Sequence, residues 1–297
     1  MNIHSQNQNR APYNAKIKKI QIYCGLFIFY IIMLYPVLRS GYMFDDIVNY
    51  ACEGFCINND MNIFQMCVLF AKNWISKGRF FPLSTLGYIV FYVLNNVVIY
   101  KLYIVILIFT VGILISEICY FVTESQRIRY YCVALYPILV SLDCSYHTAI
   151  YSYNGLLQSI CICVFSAILL FIEYSKRKKI RYRIFGCILL SISFMTYELS
   201  FGLCLIFGAV SFHIYKNYKT AFLKILPEFI TGSFFLLINF IVKILNKSGY
   251  DGINFYLGKN SIVVFFKQLT GSSSIGNWYL RCSRRNSRGS IRIVFYR

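Results

Sequence analysis

FPLSTLGYIVFYVLNNVVIY, residues 81–100, decides how this chain is arranged. The stretch is apolar enough to enter a membrane, yet Pro82 stands at one end and Asn95-Asn96 near the other. Whether it crosses a bilayer fixes the side on which every later loop falls. The other apolar segments run over 20–38, 102–122, 128–142, 154–174, 184–215 and 226–245. Lys and Arg decide the matter, because cytoplasmic loops are enriched in them. Four lie in the N-terminus (Arg10, Lys16, Lys18, Lys19) and two in loop 123–130 (Arg127, Arg129). Six lie in loop 175–183 (Lys176, Arg177, Lys178, Lys179, Arg181, Arg183) and three in loop 216–224 (Lys216, Lys219, Lys224). If 81–100 crosses, the last three groups face outward. If it does not, all four groups face the cytoplasm, as the positive-inside rule requires. The sequence therefore predicts a re-entrant or surface-lying helix within one long outer segment, 40–100.

Composition agrees with a membrane protein. The chain is 58% hydrophobic and only 14% charged, which leaves too little polar surface for a soluble domain of 297 residues. A formal charge of +19 raises the possibility of nucleic-acid binding. The basic clusters lie between apolar spans, however, which fits loops facing anionic headgroups and not a nucleic-acid surface. The start of the chain resembles a signal peptide, but its apolar run is long enough to span and no small-x-small cleavage site follows, so it reads as an uncleaved first span. The 12 Cys are mostly inside apolar runs, where they act as small hydrophobes. Cys52 and Cys56 stand apart in the outer segment at helical spacing, and two half-buried thiols are expected there in preference to a disulfide. No Cys/His set has zinc spacing.

Segment 184–215 is too long for one span, since at ~1.5 Å per residue it would reach 48 Å against a core of about 30 Å. It reads as a helical hairpin with Tyr197-Glu198 at its outer apex. The predicted fold is thus all-α and polytopic, with about seven transmembrane helices, a cytoplasmic N-terminus over 1–19, and re-entrant or juxtamembrane helices in the first outer loop. Asp45, Asp46, Glu53, Asp60, Asp143, Glu198 and Asp251 then all fall on the outer side. The positive-inside bias alone accounts for most of them. It does not account for two adjacent carboxylates beside a span, or for one at a tight apex.

These residues define a candidate chemistry. A carboxylate of Asp45-Asp46 can take a proton from an acceptor hydroxyl. Arg79, in Gly78-Arg79-Phe80-Phe81-Pro82-Leu83, presents a planar fork of donors that matches a phosphate. The alternative for Arg79 is a snorkelling side chain at the interface. The many Tyr and Phe suit stacking on sugar faces, although interfacial aromatic belts need no function.

Asp45-Asp46 in the first outer loop, Gly78-Arg79-Phe80, Tyr197-Glu198 and Tyr250-Asp251-Gly252 together resemble the bacterial membrane glycosyltransferases of the C fold class, in particular Gtr-type O-antigen glucosyltransferases. The resemblance spans about residues 20–270. It implies a sugar donor linked to polyprenyl phosphate and a glycan or lipid-linked acceptor outside the bacterial plasma (inner) membrane, as in polysaccharide biosynthesis of the cell envelope. It further implies Asp45 as base with Asp46 as its orienting partner, in an order that stays open, and Arg79 on the donor phosphate. Tyr197 and Glu198 would line the sugar or acceptor groove. Asp143, His147 and Tyr250 are weaker substrate-binding candidates, and for His147 a loop residue without a role is favoured. Some members of the class use a divalent metal, but nothing in this sequence demands one, and no cofactor is assigned. Two other readings compete: a transporter or flippase for lipid-linked oligosaccharide, and a non-catalytic membrane subunit on the same scaffold.

The glycosyltransferase-like pattern ends before residue 271. Residues 271–297 hold six Arg and no Lys, against 16 Lys and eight Arg in 1–270. This basic tail reads as a truncated or frame-shifted end, with a genuine membrane-surface tail as the alternative.

Overall fold

The computed structural model describes residues 4–42, 45–141 and 153–246. Every element among them is helical. The chain opens with α1 (His4–Met33) and α2 (Tyr35–Arg39), and its first connecting segment holds α3 (Asp45–Asn49), α4 (Cys52–Asn58) and α5 (Ile63–Ser76). A 3-10 turn at Pro82–Leu86 leads into α6 (Gly87–Val93), and α7 (Val97–Thr123) pairs with α8 (Gln126–Ser141). A second 3-10 turn, Tyr153–Gly155, precedes α9 (Leu156–Arg177) and α10 (Ile180–Phe194). The last four helices are α11 (Leu199–Leu203), α12 (Leu205–Tyr215), α13 (Tyr218–Lys224) and α14 (Leu226–Leu245).

Among the described residues three helices, α7, α9 and α14, are long and apolar enough to cross a membrane. That is fewer than the seven spans expected from apolar segments alone, and the cause is local. Pro36 lies at the start of α2, where its missing N–H and its ring interrupt the helix that α1 would otherwise continue. The first apolar run is therefore divided at Leu34. α8 contains Pro137 and has 16 residues, which gives about 24 Å of helix. Segment 184–215 is divided between α10, α11 and α12.

The stretch 81–100 is also divided. Its helical part ends at Val93, and α7 begins at Val97 because Asn96 caps it, accepting from the N–H groups of Val98 (2.9 Å) and Ile99 (3.3 Å). Residues 97–100 thus belong to α7, not to the preceding segment. From Pro82 to Val93 the chain is too short to traverse a bilayer. α5 begins with a capping box in which Asn62 and Gln65 reciprocally satisfy each other's backbone N–H. It buries Ile63, Met66 and Cys67, one stripe of its surface.

Charged side chains gather at one end of the bundle. Glu117 of α7 takes a two-point ion pair from Arg129 of α8 and a hydrogen bond from Tyr23 of α1 (3.3 Å). Arg183 of α10 reaches Glu228 of α14 at 3.2 Å. At the same end Ser175 of α9 lies 3.3 Å from the Tyr215 hydroxyl, and Lys178 lies over the Tyr215 ring. α12 therefore finishes beside the place where α9 ends and α10 begins, so 184–215 does fold back on itself, with its bend at residues 195–198. We refer to this as the basic end.

Two hydrophobic clusters fill the bundle. One joins α1, α4, α5, α6, α7 and α8 through Tyr30, Cys56, Met66, Phe91, Tyr100, Ile104 and Val133. The other joins α7, α9, α10 and α12 through Val111, Val164, Ile168, Phe171, Leu190 and Phe207. Two glycines set the spacing. The Tyr30 hydroxyl donates to the Val133 carbonyl at 2.8 Å and lies directly on Gly112, where a Cβ would collide with it. Gly155 has φ +72°, and a Cβ there would collide with Leu107 of α7. Gly155→Ala combines left-handed strain of about 1–2 kcal/mol with overpacking of about 1–3 kcal/mol. It is expected to lower the unfolding midpoint in detergent more than Gly202→Ala, where a Cβ meets open space.

Candidate functional site

At the end opposite the basic loops, residues distant in sequence converge. The bend between α10 and α11 is tied to the first connecting segment by a backbone hydrogen bond from Leu83 N–H to the Met195 carbonyl (3.0 Å). Phe80 N–H donates to the side-chain oxygen of Asn239 on α14 at 3.1 Å. Between these two ties, Arg79 forms an ion pair with Glu198. The Arg79 guanidinium also lies against three rings, Trp74 at 5.4 Å, Tyr197 at 5.6 Å and Phe81 at 5.9 Å. Ring faces attract a guanidinium without using its N–H donors. The aromatic residues therefore fix its position while its edges serve hydrogen bonding.

Glu198 is the less satisfied partner. One carboxylate oxygen takes Arg79, while the other, Oε2, is buried and accepts no hydrogen bond among the described residues. The side chains of Arg79 and Glu198 are 12% and 27% exposed, so the pair is sheltered but open to solvent on one side.

The acidic pair leads to a second group. Asp46 is fully buried and accepts a hydrogen bond from the Tyr100 hydroxyl at 2.7 Å. Lys101, the next residue on α7, is also fully buried. Tyr42 stacks on Tyr50 with centroids 4.3 Å apart and packs against Phe91 and Tyr100, forming an aromatic wall beside Asp46. Burial, with Tyr50 and Asp46 nearby, pushes the Tyr42 phenol above its ordinary range. Asp45 is the first residue of α3.

Of the residues singled out in the sequence, the structure brings Arg79, Tyr197 and Glu198 together and sets Asp46 at the same end of the bundle. Asp143, His147 and Tyr250 lie outside the described residues. Four neighbours were missed. Trp74 is one of only two Trp in the chain, and Lys101 is the one charge between two apolar runs. Asn239 is a lone amide in the middle of α14, and Tyr100 had no distinguishing signal among 26 Tyr. Among the described residues no three His, Cys, Asp or Glu side chains stand close enough to hold a metal ion.

The thiols of the segment are packed. Cys52 and Cys56 are both free and buried, and Cys56 Sγ lies 3.7 Å from Met66 Sδ. A cleft of about 570 Å³ lies at the basic end, lined by Glu117, Tyr120, Phe121, Glu173 and Lys176 among others. Of its three carboxylates, Glu117 and Glu173 pair with Arg129 and Arg177, and Glu124 lines the same cleft.

Comparison of the chain with models of protein families, with curated proteins and with solved structures finds no match.

Two outcomes follow from this geometry. Tyr100→Phe removes a donor to a buried carboxylate and is expected to cost about 1.5–3 kcal/mol of stability, measured by denaturant unfolding in micelles. Burial pushes the Cys52 thiol up to about 11. The thiolate is the reactive form, so a chain retaining only Cys52 is expected to resist maleimide at pH 7–8 and to react as the pH approaches that value or after unfolding.

Proposed function

We propose that this chain is a multi-pass enzyme of the bacterial plasma membrane, with about seven spans and a cytoplasmic N-terminus. It transfers a monosaccharide from a polyprenyl-phosphate donor to a glycan or lipid-linked acceptor on the outer face. The observation that carries this reading is Arg79, a permanently charged fork held by three rings at the end away from the basic loops. An interfacial Arg that only snorkels has no need of a carboxylate partner 119 residues distant.

In the proposed reaction the acceptor hydroxyl loses its proton to a carboxylate as its oxygen bonds to the anomeric carbon. The bond from that carbon to the phosphate oxygen breaks, and polyprenyl phosphate leaves with the electron pair. Arg79 balances the charge that grows on the leaving oxygen. Full burial of Asp46 under Tyr100 suits an orienting role, which leaves Asp45 as the base. Tyr197 and Glu198 lie beside the sugar, with membrane lipid around the donor chain. A transporter would be expected to carry its charges at the bilayer midplane. Lys101 instead lies in the first two turns of α7, and Arg79 and Glu198 lie at helix ends.

Surface-glycan composition tests the reading in cells that lack the gene and are complemented at equal membrane levels. Wild type is expected to restore a missing sugar and Asp45→Asn to restore none. Arg79→Lys, which keeps the charge but loses the fork, is expected to lower transfer by about 10–100-fold. Full restoration by Asp45→Asn would move transport or scaffolding ahead.

A further inference from the structure

We infer that Glu198 is a resident anion at Arg79, occupying the phosphate position until a lipid phosphate displaces it. The inference rests on the reading of Arg79 as the phosphate ligand and adds a regulatory step to it.

Three observations support an exchange in preference to a permanent ion pair. First, Arg79 does not depend on Glu198 for its place. Trp74 and Phe81 come from its own segment, and Phe80 and Leu83 tie that segment to Asn239 and Met195. When the carboxylate leaves, the guanidinium stays where a phosphate can meet it. Second, Glu198 is held through one oxygen only, with Oε2 buried and accepting no hydrogen bond among the described residues. A carboxylate so placed incurs desolvation that the single pairing does not fully offset. A phosphate offers more acceptor oxygens to the same fork and is a better match to it. Third, Glu198 is the N-cap of α11, with its carbonyl accepting from Phe201 N–H at 3.1 Å. Opening the pair therefore asks only for rotation of the Glu198 side chain, with its backbone kept in the first turn of α11.

The released carboxylate has a use. It lies next to Tyr197, whose ring packs on Phe81 at 5.7 Å, and an acceptor of hydrogen bonds beside an aromatic face is what a sugar hydroxyl requires. Arrival of the donor phosphate would thus uncover the group that holds the donor sugar. An empty site would keep both charges paired and the groove closed.

The test is binding of farnesyl monophosphate to the full chain in lipid nanodiscs, with farnesol as the tail-only control. Glu198→Gln is expected to bind the phosphate about tenfold more tightly than wild type, because the competing charge is gone. Arg79→Gln is expected to bind it no better than farnesol. Glu198→Asp withdraws the carboxylate by one methylene and is expected to give a smaller gain, which serves as the readout if Glu198→Gln fails to fold. Equal or weaker phosphate binding in the Glu198 variants overturns the exchange. Sugar transfer is scored separately. Tighter binding without transfer by wild type supports the exchange and removes the transferase reading, whereas transfer by wild type with no gain in the variants leaves the enzyme and removes the exchange.

Discussion

The tie between the α10–α11 bend and the segment after α5 is the constraint on which the rest depends. Without it the two hydrophobic clusters still join the helices, but residues 79–83 lose their polar link to the bend. The Leu83 to Met195 hydrogen bond and the Arg79 to Glu198 ion pair join residues 79–83 to residues 195–198. Asn239 adds α14 to the same point. Because most of the α14 surface is exposed, these polar contacts and the Arg183 to Glu228 pair at its other end carry much of its placement. A helix in lipid gains little from burying one more leucine, so polar contacts of this kind set its position.

The two ends of the bundle use charge differently. At the basic end carboxylates are matched closely: Glu117 by Arg129, Glu173 by Arg177 and Glu228 by Arg183. Surplus cations there lie over aromatic rings, as Lys176 does over Phe121 and Lys178 over Tyr215. At the opposite end Asp46 is anchored by a phenol and Glu198 by a guanidinium. Two of the ion pairs at the basic end join helices, α7 to α8 and α10 to α14.

Much of this was legible in the sequence for identifiable reasons. The long apolar runs within α7, α9 and α14 could be read from hydropathy, but the start of α7 could not, because Lys101 separates 81–100 from 102–122 and the cap at Asn96 lies inside the first of them. The fold-back of 184–215 followed from length alone. The number of long helices was not legible, because Pro36 divides a run that hydropathy treats as continuous and α8, which contains Pro137, has only 16 residues. Arg79 was visible as an isolated charge at the edge of an apolar run, and Glu198 as one inside 184–215. Trp74 beside Arg79 and Asn239 on the Phe80 N–H were not, since an aromatic or amide side chain carries no sign of where it will point. Tyr100 is found only by its contact with Asp46, which spans 54 residues.

The distance between Arg79 and Glu198 along the chain also bears on how the protein is made. With 119 residues between them, and synthesis at about 5–20 residues per second, roughly 6–24 s pass after Arg79 emerges before its carboxylate exists. Over that interval the guanidinium must be sheltered by what is already present. Trp74 and Phe81 lie within five residues of it and are synthesised with it. The rings that flank Arg79 are thus made well before its ion-pair partner.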